Sequence, residues 1–293
     1  MAVLHVAGVG KMGLPMAGHF HAAGHAVTVS DPGAARRELA RSHGLQVVED
    51  AAAAMARADM IFSSLPNDAA LRQVAAQVGQ SARRGAIYID TSTVSQQASA
   101  EVAQMLSSAG VLYLRTTVSG NNKMAEAAQL TVMASGPRMA YDTVLPLLKV
   151  LGPHQFYLGE GEQARLMKLV VNLMIAQTSA MLAEALTLGR KGGLNWQDMW
   201  QVLAASAVAS PILKAKAVQL SGRDFTPTFT VEQMIKDLDL ILAAGAAVNA
   251  PLAQTALTQQ LMHLAMAQGE GQQDYAAIIK IVERSAGLAT QLD

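Results

Sequence analysis

Gly8-Val9-Gly10-Lys11-Met12-Gly13 is the first group of residues whose types and spacing imply chemistry. A G-x-G-x-x-G between an apolar strand and a helix is the arrangement that seats a dinucleotide pyrophosphate on a helix N-terminus. Gly8 permits the tight turn, Gly10 lets backbone approach the phosphates, and Gly13 lets helix and sheet close up. Lys11 and Met12, carried in the same turn, join the candidate cofactor set. A strand, turn and helix with no ligand is the plain alternative, but Asp31 ends the second apolar run at the distance expected of a ribose-binding acid. Its carboxylate would accept from a 2′-OH and repel a 2′-phosphate, which favours NAD. Arg36 and Arg37 keep NADP open, since either could pair that phosphate or simply face solvent.

Lys168 and Asn172 form the second group. Lys168 is the only charge between Arg165 and Glu184. Desolvation in so apolar a stretch disfavours an ammonium and eases loss of its proton, which suits a general acid/base for an alcohol or carbonyl. Asn172 follows one helical turn later on the same face, where its amide could hold a hydroxyl and the lysine in register. A lysine whose stem lies on a buried helix and whose head reaches water accounts for residue 168 equally well at this point. Ser119 and Gly120 follow a strand-like run, where a hydroxyl and backbone N–H groups could receive a carboxylate, or could form an ordinary turn. His21 and His25 stand at i,i+4, but Gly24 intervenes and no carboxylate joins them, so no metal is expected. Asp237 and Asp239 are two residues apart on a helical pattern and point apart. There is no G-x-S-x-G and no cysteine, which excludes a hydrolase elbow, a thiolate nucleophile and a disulfide framework.

These residues must be positioned by two kinds of element. The 293 residues are 51% hydrophobic and 15% charged, enough for two domains with a core each. Lys plus Arg and Asp plus Glu are both 22, so no net field attracts a nucleic acid or an anionic membrane, and a small-molecule ligand is expected. MAVLHVAGVG lacks the features of a signal peptide, so a cytoplasmic protein is expected. Up to about residue 160, strand-like runs at Val3–Ala7, Ala26–Ser30, Met60–Ser63, Ala86–Ile89, Val111–Leu114, Leu130–Ala134 and Gln155–Leu158 alternate with helical stretches such as Met12–Ala23, Ala69–Val78, Gln96–Ala109 and Met139–Val150. That alternation predicts βαβ units and a parallel sheet. Beyond it, helical periodicity runs through 162–190, 196–206, 230–247 and 251–267. The expected fold is α/β, a Rossmann-type doubly wound domain over 1–160 followed by an all-α domain over 161–293, joined near Gly159-Glu160-Gly161-Glu162. Leu166–Leu182 is the most apolar stretch, but Lys168, Asn172, Gln177, Thr178 and Ser179 interrupt it, so a buried interdomain helix is expected rather than a membrane span.

Gly8–Gly13 continued by Leu14-Pro15-Met16-Ala17 resembles the opening of the β-hydroxyacid dehydrogenases, which include 3-hydroxyisobutyrate dehydrogenase, tartronate semialdehyde reductase, the glyoxylate and succinic semialdehyde reductases and, more distantly, 6-phosphogluconate dehydrogenase. Leu65-Pro66, Asp90-Thr91-Ser92-Thr93, Val118-Ser119-Gly120, Lys168 to Asn172 and Lys236-Asp237-Leu238 follow in the family's order. The resemblance implies an NAD(P)-dependent oxidoreductase that interconverts a small 3-hydroxy acid and its semialdehyde or keto acid by hydride transfer. It implies that Lys168 and Asn172 are catalytic, that Ser119, Gly120 and Asn121 bind substrate, and that Leu65, Pro66, Thr93 and Lys236 contact the cofactor, Lys236 over the nicotinamide half. With the very apolar second half, it also implies a homodimer or homotetramer.

The chain departs from the family in three places. Arg115-Thr116-Thr117 replaces the usual Asp-Ala-Pro, Asn121 replaces a second glycine and is followed by Asn122 and Lys123, and His19 replaces an asparagine. Arg115 turned toward a cleft would suit a second anionic group, and Asn121 would bring an amide, so a more polar hydroxy acid than 3-hydroxyisobutyrate is expected. The alternative is an Arg115 facing solvent and an Asn121 that caps the turn. A non-catalytic dinucleotide sensor and an imine reductase on the same scaffold are the competing functions, and Lys168 counts against both.

Overall fold

A computed structural model describes residues 1–289. The chain divides into two compact units, Met1–Lys168 and Leu169 onward. In the first, eight strands form one sheet in the order β3-β2-β1-β4-β5-β6-β7-β8. They are β1 (Val3–Ala7), β2 (Ala26–Ser30), β3 (Gln46–Val47), β4 (Met60–Ser63), β5 (Ile87–Asp90), β6 (Leu112–Ser119), β7 (Thr131–Ser135) and β8 (His154–Tyr157). The helices between them are α1 (Gly13–Ala22), α2 (Ala34–Ser42), α3 (Ala51–Arg57), α4 (Asp68–Ser81), α5 (Gln96–Ala109), α6 (Asn122–Glu126) and α7 (Arg138–Lys149).

Alternate residues of the central strands enter different cores. Leu4, Val6, Phe62, Ile87 and Ile89 join one, while Ala7, Ile61, Tyr88 and Tyr113 join the other. Both faces are therefore buried, as a doubly wound sheet requires. The chain order reverses between β1 and β4, so the loops after these strands flank the crevice where such sheets bind ligands.

The expected all-parallel sheet needs one correction: β7 runs antiparallel to β6. The connection between them carries only the five-residue α6, too short for the crossover that a parallel neighbour demands. β3 has two residues, and neither it nor α3 nor α6 stands out in the sequence.

The second unit is helical. α8 (Gln163–Lys191) starts in the first unit and continues into this one, followed by α9 (Trp196–Ala205), α10 (Pro211–Leu220), α11 (Val231–Ala247), α12 (Ala253–Ala267), a 3₁₀ turn at Tyr275–Ala277 and α13 (Ile278–Ser285). Asn195, Ser210 and Thr230 cap α9, α10 and α11 through their side chains, and Thr230 forms a capping box with Gln233. Leu186, Trp200, Met234, Leu238, Ile241, Met262 and Ile278 share one core. The sequence reading missed α10 and α13.

α8 is long and apolar enough, by length and composition, to cross a membrane. It also departs from the expected buried helix: Met174, Met181 and Leu188 are 66%, 55% and 76% exposed. Their seven-residue spacing puts them on one stripe of the helix, a face that nothing among the described residues covers.

Candidate active site

The glycine turn after β1 has the sterics that dinucleotide binding needs. Gly8 has φ +90°, and a Cβ there would meet the Ser64 carbonyl at 2.4 Å. A Cβ on Gly13 would lie 1.9 Å from the Gly8 carbonyl, whereas one on Gly10 would meet nothing within 4 Å. Two glycines therefore close the turn and the third leaves room against the backbone. No side chain caps the N-terminus of α1 at Met12, and no acid stands in its first turn, so its amides and dipole suit an anion. Lys11 is exposed beside it. These residues fit a dinucleotide pyrophosphate.

Asp31 follows β2 and is held by backbone. Its Oδ2 accepts from the Val9 amide at 3.0 Å and its Oδ1 from the Gly33 amide at 2.8 Å, with an Arg36 guanidinium nitrogen 3.7 Å away. Arg37 donates to the carbonyls of Asp31 and Pro32 at 2.8 and 2.9 Å. The two arginines thus differ: Arg37 is engaged by backbone, while Arg36 faces solvent beside the carboxylate.

The loops after β4 and β5 are tied together. Leu65 donates its amide to Ser92 Oγ at 2.8 Å, and Ser92 Oγ donates to Asp90 Oδ1 at 2.6 Å. Ser63 at the end of β4 donates to the same carboxylate oxygen at 2.5 Å. Pro66 is exposed and Thr93 half-buried beside this junction.

Lys168 and Asn172 lie on α8, half-buried and buried respectively. Within the second unit, Asn172 Nδ2 donates to Asp237 Oδ2 at 2.5 Å, and Lys236 Nζ lies 2.8 Å from Asp237 Oδ1. Asp237 is 1% exposed, on the face of α11 that carries Met234 and Leu238 inward. Lys236 is about one-third exposed. Asp239, two residues on, accepts instead from Gln259 at 2.7 Å. The carboxylate that matters was therefore dismissed in the sequence as half of an implausible pair. Its signal was its place at i+3 from Met234 and i−4 from Ile241, the spacing of the buried stripe.

Ser119 ends β6, Gly120 has φ +139°, and Asn121 caps α6 by accepting from the Met124 amide at 3.0 Å. Asn121 is thus a helix cap, and Asn122 Oδ1 beside it is buried without a partner. His19 on α1 donates from Nε2 to the Ala125 carbonyl of α6 at 2.8 Å, tying this segment to the glycine-turn helix. Arg115 is neither in a cleft nor in solvent. It is 5% exposed, ion-paired with Glu162 and stacked 4.6 Å over the Tyr113 ring. The expectation that it recognises a second anion is corrected, because the half-buried Glu162 already takes its charge. Among the described residues, no group of three or more His, Cys, Asp or Glu is placed to hold a metal ion.

The family model for the NAD-binding domain of 6-phosphogluconate dehydrogenase matches residues 4–159, and that for the NAD-binding of NADP-dependent 3-hydroxyisobutyrate dehydrogenase matches 162–282. The chain belongs to the β-hydroxyacid dehydrogenase family. It is an NAD(P)-dependent oxidoreductase of that type. A 2-(hydroxymethyl)glutarate dehydrogenase of Eubacterium barkeri is 33% identical over 287 residues, 96% of this chain and 95% of that one. The cytokine-like nuclear factor N-PAC of Homo sapiens is 29% identical over 93% of this chain, which spans only 50% of that longer protein. Among solved structures, a 3-hydroxyisobutyrate dehydrogenase of Mycobacterium tuberculosis with L-serine is 28% identical, with a TM-score of 0.88 over 96% of this family member and 98% of that chain.

Proposed function

We propose that Lys168 exchanges the proton of the substrate hydroxyl while Asn172 holds the substrate oxygen, in the interconversion of a 3-hydroxy acid and its semialdehyde. The observation that carries this reading is the amide of Asn172, one turn from Lys168 and locked by Asp237. Nδ2 has two hydrogens. One goes to Asp237, which leaves the other to donate to the substrate oxygen. Lys168 then takes the hydroxyl proton in the oxidative direction and returns it in the reductive one. When bound, the nicotinamide accepts or supplies the hydride. Gly8, Gly10, Lys11, Met12 and Gly13 seat its pyrophosphate, Asp31 its adenine ribose, and Leu65, Pro66, Thr93 and Lys236 border it. Residues 1–160 make up the dinucleotide-binding domain and 161–293 the substrate and self-association domain.

Ser119, Gly120 and Asn121 receive the substrate carboxylate. The substrate class is a 3-hydroxy acid with a second carboxylate, supported by similarity to a dehydrogenase of 2-(hydroxymethyl)glutarate, itself a 3-hydroxy acid. The expected result is a kcat/KM for 2-(hydroxymethyl)glutarate at least about tenfold above that for 3-hydroxyisobutyrate, about 1.4 kcal/mol in transition-state binding. Cofactor reduction followed by absorbance checks it. Equal or better use of 3-hydroxyisobutyrate overturns the substrate class, and no turnover of any 3-hydroxy acid overturns the reading itself.

NAD is the preferred cofactor, because a 2′-phosphate would meet the Asp31 carboxylate. Titration of each cofactor against tryptophan fluorescence is expected to give a Kd at least about tenfold lower for NAD, about 1.4 kcal/mol. The reverse ranking would show that Arg36 governs the pocket. The enzyme works in the cytoplasm as a homodimer or homotetramer, and the exposed stripe of Met174, Met181 and Leu188 supports self-association.

A further inference from the structure

We propose that the buried Asp90–Arg165 ion pair couples dinucleotide binding to the placement of Lys168, with Arg165 as a positioning residue. Arg165 belongs to the first turn of α8 and is fully buried in the first unit. Its guanidinium turns away from its own helix. NH2 donates to Asp90 Oδ2 at 2.5 Å and to the Tyr113 hydroxyl at 2.7 Å, NH1 to the Ser92 carbonyl at 2.6 Å, and Nε to Ser99 Oγ at 3.2 Å. Asp90 in turn accepts from Ser63 and Ser92, and Ser92 accepts from the Leu65 amide. One buried pair therefore joins the loop after β4, the loop after β5 and the helix that carries Lys168.

Two further bonds fix the same turn along the chain. Ala164 donates its amide to Ser135 Oγ at 3.1 Å, and its carbonyl accepts from Thr117 Oγ1 at 2.9 Å. In an α-helix that carbonyl is also the acceptor for the amide four residues on, here Lys168. Arg115 and Glu162 close the arrangement, since Arg115 shares Ser99 Oγ with Arg165 and pairs with Glu162 just ahead of α8. The departure at 115–117 thus serves this helix: Arg115 and Thr117 both hold its start.

Burial alone would pull the proton affinity of Arg165 down, but Tyr113 and Asp90 more than offset it and leave it raised. Burial likewise pushes the Tyr113 and Tyr88 hydroxyls up, so both stay neutral donors or acceptors. Arg165 keeps its charge at every working pH. A buried ion pair is a poor device for stability, because well-packed apolar residues do as well. What the fork geometry of arginine adds is direction: four bonds set the helix start against the loops after β4 and β5.

The proposal rests on Lys168 being the acid/base, and the test separates the two. Hydrogen exchange is measured on the whole protein with and without saturating NAD, in the native chain and in Arg165→Lys, which keeps the charge and loses the fork. In the native protein, residues 163–168 are expected to gain protection together with 63–66 and 90–93. In Arg165→Lys, the loops keep their gain and 163–168 lose it. The same variant is expected to lower kcat at least about tenfold, to change the KM for hydroxy acid less than about threefold, and to shift the pH at half-maximal kcat, as a displaced acid/base would. If Arg165→Lys does not fold, Asp90→Asn with Arg165→Met removes both charges and is read in the same way. Native-like kcat, pH profile and exchange in a folded variant, or no gain over 163–168 in the native protein, overturns the proposal. A Lys168→Ala protein that retains turnover overturns the catalytic reading and leaves the exchange result standing on its own.

Discussion

Lys168→Ala is expected to lower kcat by about a hundredfold or more while cofactor affinity stays within about threefold of native, the pattern of a lost general acid/base. In the proposed mechanism the lysine acts on a substrate proton, whereas the dinucleotide would be seated by the glycine turn, where Gly8 and Gly13 fix the backbone and Gly10 leaves room. Lys168→Arg sharpens the result. It keeps a cation and a long stem, but a guanidinium does not give up its proton in the working range, so it is expected to be nearly as inactive as alanine. Turnover near the native rate in Lys168→Arg would reduce residue 168 to a positive charge. Steady-state kinetics with the best hydroxy acid, combined with fluorescence titration of NAD, checks both variants. Unchanged turnover in Lys168→Ala would leave the dinucleotide-binding half of the reading and remove its chemistry.

The parts of this site that the sequence shows are those in which one residue type has one local steric meaning. The glycine turn is legible because a Cβ at Gly8 or Gly13 collides with backbone, and β1, β2, β4 and α5 are legible from period and capping alone. The segment 115–119 is different. Arg115, Thr116 and Thr117 are polar and so end the apparent strand, yet β6 runs through them to Ser119 with all three buried, because their partners lie elsewhere in the chain. Glu162, 47 residues away, takes Arg115, and the Ala164 carbonyl takes Thr117. Arg165 likewise gives no local sign of being inside, since an arginine at the edge of an apolar helix more often sends its head to water. Its Asp90 partner stands 75 residues earlier. Long-range ion pairs have no period, and that is why this network is invisible in the sequence while the i,i+4 spacing of Lys168 and Asn172 is not.

Asp237 carries the other large expected effect. It joins Asn172 to Lys236 inside the second unit, through Oδ2 and Oδ1 respectively. Turning the Asn172 amide over would set its carbonyl against a buried carboxylate, so the pair fixes which edge of the amide carries nitrogen. Asp237→Ala removes that constraint and leaves Lys236 without its anion, and a loss in kcat of about ten- to a hundredfold is expected, the usual cost of losing an orienting partner. Asp237→Asn separates the two contributions. With its one amide oxygen turned to accept from Asn172, the Asn172 amide keeps its orientation, while an NH2 replaces the oxygen that faced Lys236 and the ion pair is lost. If orientation dominates, Asp237→Asn retains most of kcat and Asp237→Ala does not. If the ion pair dominates, both lose it alike, and the KM for cofactor rises because Lys236 is displaced. Both variants are read at a temperature where circular dichroism shows them folded, since the alanine leaves a small cavity in the α11 core face. Native kcat in a folded Asp237→Ala would mean that Asn172 is oriented without this carboxylate, and its assignment as the group that holds the substrate oxygen would fall with it.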